Sequence, residues 1–201
     1  MSLTKISNNS LSAISTLPAS IPTGSLTLLS TQTASASASI EFTSGLDSTY
    51  SSYIFKLINI HAGTDNVNFT FQGSTNGGSS YGVTITSTYF NAYHNESDSQ
   101  TSLNYDGTND LAQSTSFQMF TNSFGADNDQ QGSGTLQIFN PSSTTFVKHF
   151  IARLNNYHAS DYSVDAYVAG YFNTTSAIDA VQFKMSSGNI DDGIIKLYGV
   201  S

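Results

Sequence analysis

Cysteine and tryptophan are missing from this chain, and lysine and arginine together number only six. Without cysteine there is no disulfide framework, no thiolate nucleophile and no thiolate-ligated zinc. Six cations against a net charge of −8 exclude the basic patch that binding to phosphate backbones requires. The same balance excludes a polybasic membrane surface. No run approaches the roughly 18 apolar residues of a spanning helix. The N-terminal stretch carries one lysine, Lys5, and no continuous apolar segment, so it does not read as a secretory signal. Any exit from a cell is then expected by lysis. Charged residues make up 10% of the chain against a usual share of about a quarter.

Serine (34), threonine (23) and asparagine (17) fill that space. These residues compete with helix and suit turns and the solvent face of strands. Thirteen phenylalanines and eleven tyrosines make the chain too aromatic to remain disordered. An all-β domain follows.

The period of two is plainest near the end. Val181, Phe183 and Met185 alternate with Gln182 and Lys184, and a second run from Ile194 to Tyr198 follows the turn residues Gly188-Asn189-Ile190-Asp191-Asp192-Gly193. Read locally, this is a β-hairpin, with Phe183 pointing inward and Lys184 outward. Another hairpin turn is expected at Asn76-Gly77-Gly78, where glycine accepts positive φ. Strands are expected at residues 36–42, 53–60, 67–72, 81–90, 116–121, 135–139, 146–153 and 164–172, besides the last two. Residues 91–111 read as a long polar loop, with a helical turn near Asp110. About ten strands without a long helix or a fixed repeat point to an antiparallel two-sheet β-sandwich of jelly-roll type over residues 26–201.

Residues 1–25 differ. Leu3, Ile6, Leu11, Ile14, Leu17 and Ile21 stand at irregular spacing in a polar background that ends in Pro18 and Pro22. Two readings stay open, a disordered leader or an extended arm whose apolar residues dock on a particle or a neighbouring subunit.

Catalytic chemistry is sparse. Gly132-Ser133-Gly134 lacks the spacing of a nucleophile elbow. His61, His94, His149 and His158 show no paired metal-ligand spacing, and no metal or cofactor is expected. The acidic clusters at Asp106–Asp110, Asp127–Asp129 and Asp191-Asp192 match no calcium-loop pattern and read as capped turns. Two polar-aromatic segments stand out, Tyr89–Glu96 and Asn155–Tyr162. Sugar sites set an aromatic face against the C–H side of a ring and place amides and carboxylates on its hydroxyls. Tyr93, His94, Tyr157, His158, Asp161 and Tyr162 supply those groups and are the candidate ligand-binding residues. The alternative is that they finish strand ends or fill a subunit interface.

Several segments carry a resemblance. They are Ile40-Glu41-Phe42-Thr43-Ser44-Gly45-Leu46-Asp47-Ser48-Thr49-Tyr50, Asn68 to Tyr81, Gly170-Tyr171-Phe172-Asn173-Thr174-Thr175-Ser176-Ala177-Ile178 and Gly188 to Gly199. With the leader residues Ile6, Ser10-Leu11, Ile14 and Leu17-Pro18, they resemble the small β-sandwich virion proteins of tailed bacteriophages of marine bacteria. The resemblance implies a non-enzymatic virion component, such as a capsid decoration, fibre or collar spike. The protein is then expected to be a homo-oligomer, a trimer, partnered with other virion proteins, and any contact with host surface carbohydrate is expected through the two polar-aromatic segments. The expected location is the virion, assembled in the host cytoplasm. The alternative function is a lectin-like carbohydrate-binding module with no part in building a particle.

Overall fold

The structure, a computed structural model, describes residues 25–201. The candidate docking residues Leu3, Ile6, Leu11, Ile14, Leu17 and Ile21 lie outside the described residues. In chain order the strands are β1 (Leu26–Ser37), β2 (Ile40–Phe42), β3 (Ser52–Ala62), β4 (Val67–Ser74), β5 (Ile85–Asn95), β6 (Thr101–Tyr105), β7 (Gln118–Phe124), β8 (Gly132–Phe139), β9 (Lys148–His158), β10 (Tyr162–Phe172), β11 (Ala180–Met185) and β12 (Ile190–Val200). The described residues contain twelve strands and no helix, where about ten strands and one helical turn were expected.

Every pairing is antiparallel, and the hydrogen bonds join all twelve strands into one nearly closed, barrel-like sheet. Its main path runs β1-β12-β3-β8-β9-β7-β4-β11-β2, and β10, β5 and β6 branch from β9. The branch point is local. Strand β8 pairs with β9 from Gly132↔Asn156 to Ile138↔Phe150, and beyond that β7 takes over the same edge through Phe124↔His158. Tyr157 serves both neighbours, donating its N–H to the Gln131 carbonyl at 3.0 Å and accepting from the Gly125 N–H at 3.2 Å. Gly132 makes this crossing possible, because a Cβ there would stand 2.4 Å from Cζ of Phe124.

Both expected hairpins prove to be crossings. Strand β11 pairs with β2 and β4, whereas β12 pairs with β1 and β3, so the terminal turn carries the chain between separate parts of the sheet. Strand β4 likewise does not pair with β5 across Asn76-Gly77-Gly78. Gly77 (φ 69°) and Gly78 (φ 84°) do take positive φ, but the turn is held by side-chain bonds, one of them from the distant Asp179. Ser74 Oγ donates to Asn76 Oδ1 at 2.8 Å, and the Gly77 N–H donates to Asp179 Oδ1 at 2.9 Å.

Inward side chains build one aromatic core. The Phe183 ring lies 5.2 Å from Phe55 and 6.1 Å from both Phe42 and Phe120; Phe71 lies 5.2 Å from Phe150 and 4.7 Å from Phe120. These rings come from β2, β3, β4, β7, β9 and β11, so the core holds distant parts of the path together. Strand β9 alternates without a break, burying Lys148, Phe150, Ala152, Leu154 and Asn156. Lys148 is fully buried, with its Nζ donating to the carbonyls of Thr174 at 3.1 Å and Ser176 at 2.5 Å. Burial pushes its pKa below the usual lysine value.

Candidate functional site

The segment expected as a long loop, residues 91–111, instead contains the end of β5, the turn 96–100 and β6. Asn95 builds that turn. Its Oδ1 accepts from the N–H groups of Ser99 at 3.0 Å and Gln100 at 2.8 Å, and its Nδ2 donates to the hydroxyls of Ser97 and Ser99. Strands β9 and β10 meet at the three-residue turn Ala159-Ser160-Asp161, where Asp161 adopts φ 62° and its N–H bonds the His158 carbonyl at 2.9 Å. Asparagine and aspartate tolerate this left-handed backbone better than most residues. The two turns are neighbours because Tyr162 pairs with Asn95. The Glu96 N–H also donates to the Asp161 carbonyl at 3.0 Å.

The structure therefore gathers the six candidate residues at one end of the β9–β10–β5 region, though not in a single pocket. Side chains alternate along a strand, so Tyr93 and His94 face opposite sides of the sheet, as do Tyr157 and His158. On the outer side is a cleft of about 560 Å³ lined by residues that include His94, Glu96, Asp129, Gln131, Asn155 and Tyr157. On the inner side is a cleft of about 500 Å³ lined by residues that include Asn91, Tyr93, Asn104, Asp106, His158 and Tyr162. Tyr162 borders both. Asp161 lines neither, and it supports the outer wall through Oδ1, 3.4 Å from the Tyr157 hydroxyl. The expectation that each segment presents its groups together in one loop is corrected: both segments are largely strand, and each divides its side chains between the two clefts.

In the outer cleft the polar groups bond one another. The Tyr157 hydroxyl donates to Glu96 Oε1 at 2.8 Å, His94 Nε2 lies 2.9 Å from Asp98 Oδ1, and Asn155 Nδ2 donates to the Ser163 hydroxyl at 3.0 Å. The inner cleft is more aromatic. Tyr162 meets Tyr93 edge to face at 5.5 Å and His158 at 5.3 Å, while its hydroxyl donates to Gln100 Oε1 at 2.6 Å. His158 accepts the Ser160 N–H on Nδ1 at 3.0 Å. Burial lowers its pKa from the ordinary histidine value, so the proton it takes up in the unfolded chain near pH 6.5 costs folding stability as the pH falls below that value.

The hydrogen bond to Glu96 is the largest cause raising the Tyr157 pKa, to about 12. A phenol raised in the folded state adds stability below its unfolded pKa of about 10 and loses that contribution as the pH climbs towards 12. Glu96→Gln is expected to return the Tyr157 ionisation towards about 10, followed by its ring resonances in an NMR pH titration. A Tyr157 ionisation unmoved by Glu96→Gln would break the assigned pair.

Among the described residues, no three histidine, aspartate or glutamate side chains converge to hold a metal ion. Asp106 caps its own turn, accepting from the Thr108 N–H at 2.9 Å and from Asn109 Nδ2 at 2.7 Å. His61 lies 3.7 Å from Asp191 Oδ2, and His149 packs against Tyr171.

Sequence reasoning missed a buried polar layer behind the inner cleft. Tyr89, Asn91, Thr121 and Asn156 are all buried, and Thr121 Oγ1 donates to Asn156 Oδ1 at 2.6 Å. The Tyr89 hydroxyl and Asn156 Nδ2 have no hydrogen-bond partner among the described residues. The signal was available, because extending the alternation of Ile85 and Ser87 through Tyr89 and Asn91, and that of Phe150 through Leu154 and Asn156, puts these residues inside.

In comparison with known proteins, the chain matches no family model, no curated protein and no solved structure.

Proposed function

We propose that this protein is a bacteriophage virion component, non-enzymatic and homo-oligomeric, whose tip contacts a host surface carbohydrate. The observation that carries the reading is the gathering of aromatic rings, amides and carboxylates from β5, β9 and β10 around two clefts at one end of the sheet. This is the donor and acceptor set that hydroxyl-rich ligands require, with ring faces to cover their C–H surfaces. The virion assignment rests on the resemblance of the quoted segments to marine phage β-sandwich proteins. The architecture is read as the two-sheet jelly-roll type, with the run β1-β12-β3-β8-β9-β10-β5-β6 facing the run β2-β11-β4-β7. Ring contacts between the runs, Phe55 with Phe183 and Phe71 with Phe150, support that reading.

Self-association, taken as a trimer, has support on the outer face of β9, β10, β5 and β6. Leu103 is 71% exposed and Tyr105 61%, with Phe90 and Ile151 also exposed nearby. Phe90 stacks on Tyr167 at 4.8 Å, and Arg153 lies over the other side of Tyr167. The strands on this face carry one carboxylate, Asp165, which Arg153 neutralises in a two-point ion pair at 3.0 and 2.7 Å. Two copies of a chain with net charge −8 meet there without like charges facing one another. Residues 1–25 are assigned to docking on the particle.

The clefts favour equally a second reading, a free lectin-like module. Mass spectrometry of purified particles separates the two. The protein is expected among the particle proteins, at high copy number if it decorates the capsid and at low copy number if it belongs to a collar or tail. Its absence from particles would leave the module reading.

A further inference from the structure

We propose that the inner cleft, rather than the outer one, is the primary binding pocket, and that it takes an uncharged, hydroxyl-rich ring such as a neutral terminal sugar. This rests on reading the tip as a saccharide contact and assigns the contact to one side of the sheet.

Three observations lead there. The first is unmet hydrogen-bonding capacity. Asn91 is only 7% exposed, lies on the inward side of β5 and lines the cleft, with its carboxamide beside the Tyr89 hydroxyl. Behind it the Tyr89 hydroxyl is fully buried, and although Asn91 and Thr121 stand within reach, no hydrogen bond of good geometry joins it to either. Buried polar groups are paired in nearly all folded proteins, so the incompletely bonded Tyr89 hydroxyl and Asn156 Nδ2 behind this cleft mark a place where a ligand or an ordered water completes the set. In the outer cleft the polar groups of Tyr157, His94 and Asn155 are already bonded to Glu96, Asp98 and Ser163.

The second observation is shape. A volume of about 500 Å³ lies within the span of roughly 300–1,000 Å³ typical of ligand pockets. Tyr93, His158 and Tyr162 wall it with rings set edge to face, which leaves ring surface for the C–H side of a sugar.

The third is charge. No lysine or arginine lines either cleft. Asp106 lines the inner cleft, while Glu96 and Asp129 line the outer cleft across the sheet. A carboxylate, sulfate or phosphate on the ligand would meet this field without a counter-ion, so uronates, sialic acids and phosphorylated sugars are disfavoured.

The test uses the isotopically labelled full-length chain. It is titrated with methyl glycosides of glucose, mannose, galactose and N-acetylglucosamine, and separately with glucuronate and N-acetylneuraminate. At least one neutral glycoside is expected to shift the Asn91 side-chain amide and the ring resonances of Tyr93 and Tyr162, and both acids are expected to shift neither. Asn91→Leu should weaken that binding about ten-fold, the worth of one buried hydrogen bond, with Glu96→Gln staying within about two-fold. Tyr93→Leu gives the same test should the Asn91 variant fail to fold. If Glu96→Gln abolishes binding and the inner-cleft variants do not, the pocket is the outer one and only the tip reading survives. Acidic sugars binding as tightly as neutral ones would overturn the ligand class. If no glycoside of either kind binds while the host polysaccharide does, the single-ring pocket is wrong and the tip reading stands.

Discussion

Phe183→Ala is expected to lower folding stability by about 3–5 kcal/mol in a chemical denaturation series. The side chain is fully buried, and its ring lies within 6.3 Å of the rings of Phe42, Phe55, Phe69 and Phe120. Those four rings belong to β2, β3, β4 and β7, so truncation opens a cavity where four strands converge. Close packing on all sides leaves little freedom for the site to collapse, which places the cost in the upper range of such substitutions. The adjacent Lys184 provides the control. It projects to the other side of β11, where its Nζ lies 4.0 Å from the centre of the Phe117 ring. Lys184→Ala is therefore expected to cost up to about 1 kcal/mol, the worth of a partly exposed cation–π contact. Equal losses for the two variants would mean that the register of β11 is wrong.

The second large effect concerns recognition. Replacing Tyr157 and Tyr162 together with alanine is expected to abolish binding to host surface polysaccharide. Tyr157 forms a wall of the outer cleft and Tyr162 borders both clefts, so the pair strips aromatic surface from each side of the sheet. Neither ring belongs to the core, and the melting temperature should fall by only a few degrees, equivalent to about 1 kcal/mol. The single variants then divide the effect. With the ligand in the inner cleft, Tyr162→Ala alone accounts for most of the loss, and Tyr157→Ala acts mainly through the turn that it braces against Glu96 and Asp161. Normal binding by the double variant would make both residues structural.

The period of two was readable in the sequence wherever a strand has one buried face. Val181, Phe183 and Met185 point inward as the alternation requires, and nearly every expected strand is present within a few residues. Strand partners were not readable, because pairing is non-local. The Gly- and Asn-rich turns at residues 76–78 and 188–193 have the chemistry of hairpins, but the strands that flank them pair elsewhere. Of the hairpin connections that do form, those at 96–100 and 159–161 contain no glycine and are held by side chains of Asn95 and His158. Residues 91–111 read as loop because their polarity hides the alternation: β6 is exposed along its length, and Asn91 is a polar residue at an inward position.

The candidate residues were legible as a group, since aromatic rings beside amides and acids are uncommon in such a serine-rich background. Their division between two clefts follows from strand geometry and could have been drawn from the same period of two. The bonding partners of Lys148 and Asn156 were hidden for a different reason. A polar residue at an inward position gives no sign in the sequence of the carbonyls or hydroxyl that will satisfy it. For Lys148 those partners are the carbonyls of Thr174 and Ser176, more than twenty residues away.

The most direct measurement of the central claim is a binding isotherm of the full-length chain against surface polysaccharide extracted from the bacterium that the particles infect. Saturable binding is predicted, competed by neutral but not acidic saccharides and lost in the Tyr157→Ala, Tyr162→Ala double variant. A wild-type protein that shows no affinity for that polysaccharide would contradict it.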